Sequence, residues 1–95
     1  MTQPPFRTLT TPGFERDLKR LIKRDPLSLR KVRALVVILK NDPYNRSRSH
    51  DIKKLTAIKV GEGQFRIRSG DFRLRYDIIE REVILYSVRN RREAY

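Results

Sequence analysis

The last third of the chain decides the fold. It reads Gln64-Phe65-Arg66-Ile67-Arg68-Ser69, then Asp71-Phe72-Arg73-Leu74-Arg75-Tyr76-Asp77-Ile78, then Val83-Ile84-Leu85-Tyr86-Ser87-Val88. Apolar and polar side chains alternate in the first two segments, which is the period of a half-buried strand. We therefore predict three consecutive β-strands, with the first two joined as a hairpin through Ser69-Gly70.

Alternation assigns the side chains of this hairpin to two faces. The apolar face holds Phe65, Ile67, Phe72, Leu74, Tyr76 and Ile78. The opposite face collects four guanidinium groups, those of Arg66, Arg68, Arg73 and Arg75. Like charges across a strand pair repel each other, so the cluster costs stability unless an anion or a neighbouring acid offsets it. Two interpretations stay open: a functional anion-binding face, or a solvated face covered by arginine stems.

Two amphipathic helices are predicted before the sheet. At Thr11-Pro12 an N-cap residue precedes a proline suited to the first helical position, and Asp25-Pro26 repeats this signal. The first apolar stripe consists of Phe14, Leu18, Leu21 and Ile22, and the second of Leu29, Val32, Leu35, Val36 and Leu39. Asn41-Asp42-Pro43 ends the second helix. The short connection between the helices predicts a helical hairpin.

The remaining segments are short. We predict an edge strand over Phe6–Thr11, a polar loop over Tyr44–Asp51 and a short strand or turn around Lys53-Lys54-Leu55. Gly61-Glu62-Gly63 is predicted to be a flexible link into the sheet, and residues 1–5 are expected to be disordered. The polar loop contains the one histidine, His50, which we expect to be an exposed loop residue. Its ordinary pKa range would suit proton transfer if the loop folded over the basic face.

Composition restricts the function further. A chain of 95 residues predicts one domain over 1–95. The absence of cysteine excludes a disulfide scaffold and a thiol nucleophile, and with one histidine we expect no metal site and no cofactor. No signal peptide and no apolar run of about 20 residues is visible, so we expect a cytoplasmic protein without a membrane partner.

The net charge of +12 predicts a polyanionic partner, such as nucleic acid, an acidic protein or an anionic membrane. Every basic residue from Gly61 to Tyr95 is an arginine, which suits planar, bidentate contacts to phosphate or carboxylate. The tail reads Arg89-Asn90-Arg91-Arg92-Glu93-Ala94-Tyr95. An aromatic ring with basic neighbours can stack on a base while arginines hold phosphates. Alternatively, Tyr95 packs over the edge of the core.

From Arg66 to Tyr95 the sequence resembles the RelE/ParE toxin superfamily of type II toxin–antitoxin systems. The run from Gln64 to Ile78 is similar to the family pattern aromatic-Arg-x-Arg-x-Gly-Asp-aromatic-Arg-x-x-Tyr, and Arg-Arg-Glu-Ala-Tyr is similar to the terminal Arg-Arg-x-x-Tyr. Lys53-Lys54-Leu55 resembles the Lys-Leu that precedes the sheet in the family. The resemblance implies an α+β fold with an N-terminal strand and a two-helix hairpin packed on an antiparallel sheet.

The resemblance implies one of two activities. RelE-like members cut mRNA in the ribosomal A site without a metal, by attack of the 2′-hydroxyl on the adjacent phosphate, which leaves a 2′,3′-cyclic phosphate. ParE-like members inhibit DNA gyrase. Either activity implies a cognate antitoxin as partner, and the first also implies the ribosome and mRNA. We expect the ribosome-dependent endoribonuclease, with the gyrase inhibitor as the alternative.

Site residues follow from the resemblance by position. The catalytic candidates are Arg66, Arg68, Arg73, Arg91, Tyr95 and, more weakly, His50. The RNA-binding candidates are Lys53, Lys54, Arg75, Arg89 and Arg92. One departure concerns proton transfer, because arginine occupies the strand positions where related nucleases often have a general base, and arginine stays protonated at neutral pH. His50 or Tyr95 would fill that role, or electrostatic stabilisation would carry most of the rate.

Overall fold

A computed structural model describes residues 5–92 of the chain. In order, the elements are β1 (Arg7–Thr10), α1 (Pro12–Arg24), α2 (Ser28–Asn41), β2 (Asp51–Lys54), β3 (Phe65–Ser69), β4 (Phe72–Ile79) and β5 (Glu82–Asn90). They form an α+β fold with two helices and one five-stranded sheet of order β1-β5-β4-β3-β2. The predicted fold class is confirmed.

The sheet is mixed rather than purely antiparallel. Strands β2 to β5 form an antiparallel meander, whereas β1 pairs parallel with β5, with Arg7 opposite Glu82 and Thr10 opposite Leu85. A parallel pair needs a long crossover, and both helices together with β2, β3 and β4 lie between these two strands in the chain. The alternation of residues within a strand carries no information on this direction, which is why the sequence did not predict it.

The hydrophobic core lies between the two helices and the apolar face of the sheet. The buried side chains are Phe14, Leu21, Val32, Leu35, Leu39, Ile67, Phe72, Leu74, Tyr76, Val83, Leu85 and Val88. The helices thus contribute the centres of their predicted stripes, and the hairpin contributes its predicted apolar face. The arginine side chains consequently project from the face of the sheet that the helices do not cover.

Helix α1 begins where the sequence predicts, and helix α2 begins later. Helix α1 begins as expected, because the Thr11 hydroxyl accepts the Phe14 N–H at 3.2 Å and Pro12 occupies the first turn. Helix α2 was predicted to begin at Pro26, and this is wrong by two residues. Asp25 closes α1, and its carboxylate accepts the Leu27 N–H at 3.1 Å in the turn that precedes Ser28.

Two connections differ from their predictions. The β3–β4 turn consists of Gly70 and Asp71, because Ser69 still pairs with Phe72. The segment 61–63 was expected to be a flexible link, but the Gly61 and Gly63 N–H groups donate to the Asp77 carboxylate at 2.6 and 3.4 Å. These hydrogen bonds fix the segment against β4. Of the two possibilities predicted around Lys53, a short strand or a turn, the structure has the strand, β2.

Candidate functional site

The arginine face of the sheet is concave and forms a cleft of about 770 Å³. The described residues that line it are Leu55, Glu62, Arg66, Arg73, Arg75, Tyr86, Ser87, Arg89 and Arg91. Five of these nine are arginines from β3, β4, β5 and the segment that follows β5. We call this site the arginine cleft.

Strand register brings the basic side chains together in two rows. In the first row, Arg68, Arg73 and Arg89 lie directly opposite one another across β3, β4 and β5. In the second row, Arg66 lies opposite Arg75. Directly opposed Cβ atoms are about 4.5–5.5 Å apart, so the guanidinium groups repel one another unless each has a compensating partner.

Most of these arginines have such a partner, but two do not. Asp51 accepts hydrogen bonds from Arg66 Nη2 at 3.2 Å and from Arg68 Nε at 2.8 Å. The Gly63 carbonyl accepts both Arg75 Nε and Arg75 Nη2, at 3.1 and 2.9 Å. The guanidinium groups of Arg73 and Arg89 make no hydrogen bond or ion pair with any residue of the described range.

Arg66 also has a side-chain hydrogen-bond donor that lacks a partner. Its Nε atom is buried without a hydrogen-bond partner in the described part of the chain. A buried donor left unpaired costs about 1–3 kcal/mol, and an anion in the cleft would remove that penalty. Together with the unpaired Arg73 and Arg89, this donor favours the anion-binding interpretation of the face over the solvated one.

A single acid offsets the outer edge of the face. The hydrogen bond from Arg68 and the charges of Arg68 and Arg66 hold the pKa of Asp51 below its ordinary value of 3.8. Because Asp51 sits on the edge strand β2, it engages Arg68 away from the cleft, and Arg68 is not among the residues that line it. The charge that remains unbalanced is therefore concentrated further along the row, at Arg73 and Arg89.

A buried carboxylate, that of Asp77, lies beside the 61–64 segment. Asp77 follows Arg73 and Arg75 on the same face of β4 and is completely buried. Its oxygens accept N–H groups from three residues of the 61–64 segment: Gly61 at 2.6 Å, Gly63 at 3.4 Å and Gln64 at 2.7 Å. Asp77 thus holds the segment whose Gly63 carbonyl binds Arg75.

Tyr86 is a cleft residue that the sequence analysis missed. A β-bulge lies between Arg75 and Tyr76, so that Arg75 opposes Ser87 while Tyr76 opposes Leu85. Tyr86 is the extra residue, and the bulge allows both Tyr86 and Ser87 to line the cleft. Burial, followed by the charge of Asp77 and a hydrogen bond to it, raises the pKa of the Tyr86 hydroxyl. An aromatic residue within an apolar strand gave no signal of this role.

The predicted site residues separate into two groups. The structure brings Arg66, Arg73, Arg75, Arg89 and Arg91 together in the arginine cleft. Five others lie elsewhere, and one of them is Arg68, which binds Asp51 at the sheet edge. Lys54 opposes Phe65 on the apolar side, with its Nζ 5.7 Å from the centre of that ring. Arg92 binds Asp71 at 3.0 Å and lines a groove beside α2.

Lys53 and His50 also lie outside the cleft lining. Lys53 opposes Arg66 at the sheet edge. His50 has its Nε2 3.9 Å from Asp42 Oδ2 in the loop before β2, so the loop does not fold its imidazole into the cleft. Tyr95 lies outside the described residues, as do residues 1–4 of the segment expected to be disordered.

Within residues 5–92, no group of three or more His, Asp or Glu side chains is placed to hold a metal ion. No helix in that range is long and apolar enough to cross a membrane.

The fold defines a class of protein. The chain is similar to a chain of the RelBE2 toxin–antitoxin complex from Mycobacterium tuberculosis, with 27% identity and a TM-score of 0.57. The similarity covers 92% of this chain and 99% of the other. The structure is that of a RelE-like toxin.

Residues 9–95 match the model of the ParE toxin family of type II toxin–antitoxin systems, parDE. The chain therefore belongs to this family, within the RelE/ParE superfamily, and the resemblance seen in the sequence is confirmed. No curated protein sequence is significantly similar to it.

Proposed function

We propose that this toxin is a ribosome-dependent mRNA endoribonuclease whose active site is the arginine cleft. The observation that carries the proposal is the pair Arg73 and Arg89, which oppose each other across β4 and β5 and have no partner among the described residues. Two adjacent, uncompensated guanidinium groups in a concave site suit a phosphate whose charge increases during reaction. A surface that served only solubility would not need to oppose like charges.

The chemistry implied by the resemblance fits this cleft. The 2′-oxygen attacks the adjacent phosphorus, the bond to the 5′-oxygen of the next nucleotide breaks, and a 2′,3′-cyclic phosphate remains. Negative charge accumulates on the phosphoryl oxygens in the transition state. Arg73 and Arg89 would bind these oxygens, and Arg66 would contribute its unpaired Nε donor. Arg91, at the rim, would stabilise the leaving oxygen.

The test uses purified toxin with ribosomes programmed by a defined mRNA, and cleavage ends are mapped over time. We expect the wild-type protein to cut within codons, and Arg73→Ala or Arg89→Ala to slow cutting by about a hundredfold to a thousandfold. Arg33→Ala is the matched control, because Arg33 is an exposed arginine on α2. Intact mRNA after prolonged incubation with the wild-type toxin would overturn the proposal.

A gyrase inhibitor is the second candidate. Two observations favour it: the matching family model is that of ParE toxins, and the strand positions of the cleft hold arginines rather than a general base. This candidate predicts that the purified toxin blocks DNA supercoiling by gyrase and leaves translated mRNA intact. Running the supercoiling assay on the same preparations separates the two activities.

Under either activity we propose an acidic, amphipathic antitoxin as partner. The net charge of +12 favours such a partner, and the similar chain was solved in a toxin–antitoxin complex. Exposed apolar side chains, including Leu27 at 60% just before α2 and Val37 at 57% on α2, provide surface that an amphipathic segment could bury. Co-expression with the cognate antitoxin should yield a complex that co-purifies and suppresses toxicity. Separate elution of the two chains would contradict this.

A further inference from the structure

The proposed nuclease lacks an obvious group to accept the proton of the 2′-hydroxyl. The arginines of the cleft stay protonated at neutral pH. His50, the weak candidate from the sequence, faces Asp42 instead of the cleft. Among the described residues that line the cleft, the ionisable side chains other than arginine are those of Glu62 and Tyr86.

Tyr86 does not suit this role. Its hydroxyl donates a hydrogen bond to Asp77, and burial together with that carboxylate raises its pKa. Removing the phenolic proton would place a second negative charge beside Asp77. Asp77 itself is fully buried, and its carboxylate is occupied by three backbone N–H groups.

Glu62 lies in a segment whose backbone is held in place by hydrogen bonds to Asp77. The two residues on either side of it, Gly61 and Gly63, both donate their N–H groups to Asp77, which fixes the backbone of Glu62 at the cleft wall. Both glycines have positive φ, at 99° and 80°, which is the backbone conformation that glycine adopts without strain. Gly63 also lies close to β4, since a Cβ added there would be 3.1 Å from Arg75 Cβ.

The Glu62 carboxylate has one oxygen held and one available. Oε1 accepts the Lys59 N–H at 3.2 Å, which restrains the side chain, and the other oxygen has no partner among the described residues. The cleft therefore holds this carboxylate together with the side chains of five arginines. The arrangement provides a base and several phosphate ligands in a single cleft.

We propose that Glu62 is the general base of this nuclease, an inference that rests on the proposed function above. The proton of the 2′-hydroxyl passes to the unpartnered carboxylate oxygen as the 2′-oxygen forms its bond to phosphorus. The bond from phosphorus to the 5′-oxygen breaks with its electron pair, and that oxygen takes a proton from water. The protonated Glu62 then releases its proton to the resulting hydroxide.

The test compares single-turnover cleavage on ribosomes for wild type, Glu62→Gln and Glu62→Asp across a range of pH. We expect Glu62→Gln to slow cleavage by about a hundredfold to ten-thousandfold and to lose the rise in rate with pH that ionisation of the carboxylate produces. Glu62→Asp should keep that rise at a reduced rate. Glu80→Gln, an equivalent change at an exposed glutamate in the β4–β5 turn, should cleave like wild type.

Thermal unfolding of each variant checks that the fold is intact, which we expect because Glu62 is exposed. A Glu62→Gln variant that cleaves within about twofold of wild type, or that retains the same rise with pH, would overturn the assignment while leaving the nuclease proposal in place. If the wild-type protein itself does not cleave, the nuclease proposal fails and the assignment of Glu62 fails with it.

Discussion

Substitution of Arg73 can show whether the cleft needs only a positive charge at this position or also the planar shape of the guanidinium group. Its guanidinium lies between Arg68 and Arg89 in the first row and has no partner among the described residues. Lysine keeps the positive charge but lacks the planar fork that binds two phosphoryl oxygens at once. We expect Arg73→Lys to cleave at a rate between those of wild type and Arg73→Ala, measured in the programmed-ribosome assay. Equal rates for Arg73→Lys and wild type would show that the fork is not used.

Asp51 is expected to make the stability of the fold depend on acid pH. The pKa of Asp51 is lowered by Arg68 and Arg66, so its folded-state value lies below the unfolded value of 3.8. Its contribution is therefore present above that value and is lost as pH falls through the folded pKa. In Asp51→Asn we expect a lower melting temperature than wild type at about pH 5, with the difference shrinking towards about pH 2. A difference that is constant with pH would contradict this account.

Asp17 connects a helix to the open edge of a strand. Pairing between β1 and β5 ends at Leu85, which leaves the following backbone groups of β5 without a strand partner on that side. The Thr11 hydroxyl donates to the Leu85 carbonyl at 2.9 Å, and the buried Asp17 carboxylate accepts the Val88 N–H at 3.1 Å. The side chains of Thr11, at the start of α1, and Asp17, within it, thus continue the hydrogen bonding that β1 begins.

Removing the Asp17 carboxylate should leave a buried N–H group without a partner. We expect Asp17→Ala to lower the free energy of unfolding by about 1–3 kcal/mol, measured by urea denaturation. Glu15→Ala is the control, since Glu15 is an exposed acid in the same helix, and it should change stability by less than about 0.5 kcal/mol. Equal losses in the two variants would indicate a general effect of helix charge instead.

Alanine substitutions at Gly61 and Gly63 can be compared to test how backbone strain and crowding each affect the free energy of unfolding. Gly61 and Gly63 both have positive φ, but a Cβ at Gly61 would meet open space, whereas one at Gly63 would lie 3.1 Å from Arg75 Cβ. We expect Gly61→Ala to cost about 1–2 kcal/mol and Gly63→Ala clearly more, because strain and crowding add at Gly63. Thermal or urea unfolding measures both, and a smaller loss at Gly63 would contradict the described packing.

At the scale of single elements, the sequence predicted the regular strands and the first helix, but it did not predict the β-bulge or the anchored 61–63 segment. Alternation located β3 and β4 to within a residue, and the Thr11 cap located α1, because these signals are local. The bulge that brings Tyr86 to the cleft depends on the pairing of two strands and leaves no mark in the apolar run of β5. Likewise, the anchoring of Gly61 and Gly63 depends on Asp77, which is more than ten residues away.

At the scale of the whole molecule, one face of the sheet forms the hydrophobic core and the other carries the arginine cleft. The helices bury the apolar face, and the opposite face leaves the arginine cleft open. The sequence predicted the clustering of Arg66, Arg73 and Arg75, because residues two apart on a strand share a face. It did not predict that Arg68 would turn to Asp51 or that Glu62 would join the cleft, since both depend on contacts between distant segments.

The measurement that tests the central claim most directly is primer extension on a reporter mRNA after brief induction of the toxin in cells. Wild type is compared with Arg73→Ala, and with Arg33→Ala as an exposed arginine outside the cleft. We predict new cleavage ends inside codons for wild type and Arg33→Ala and their loss in Arg73→Ala. Growth arrest by the wild-type toxin with intact mRNA would contradict the account and would direct the search to gyrase.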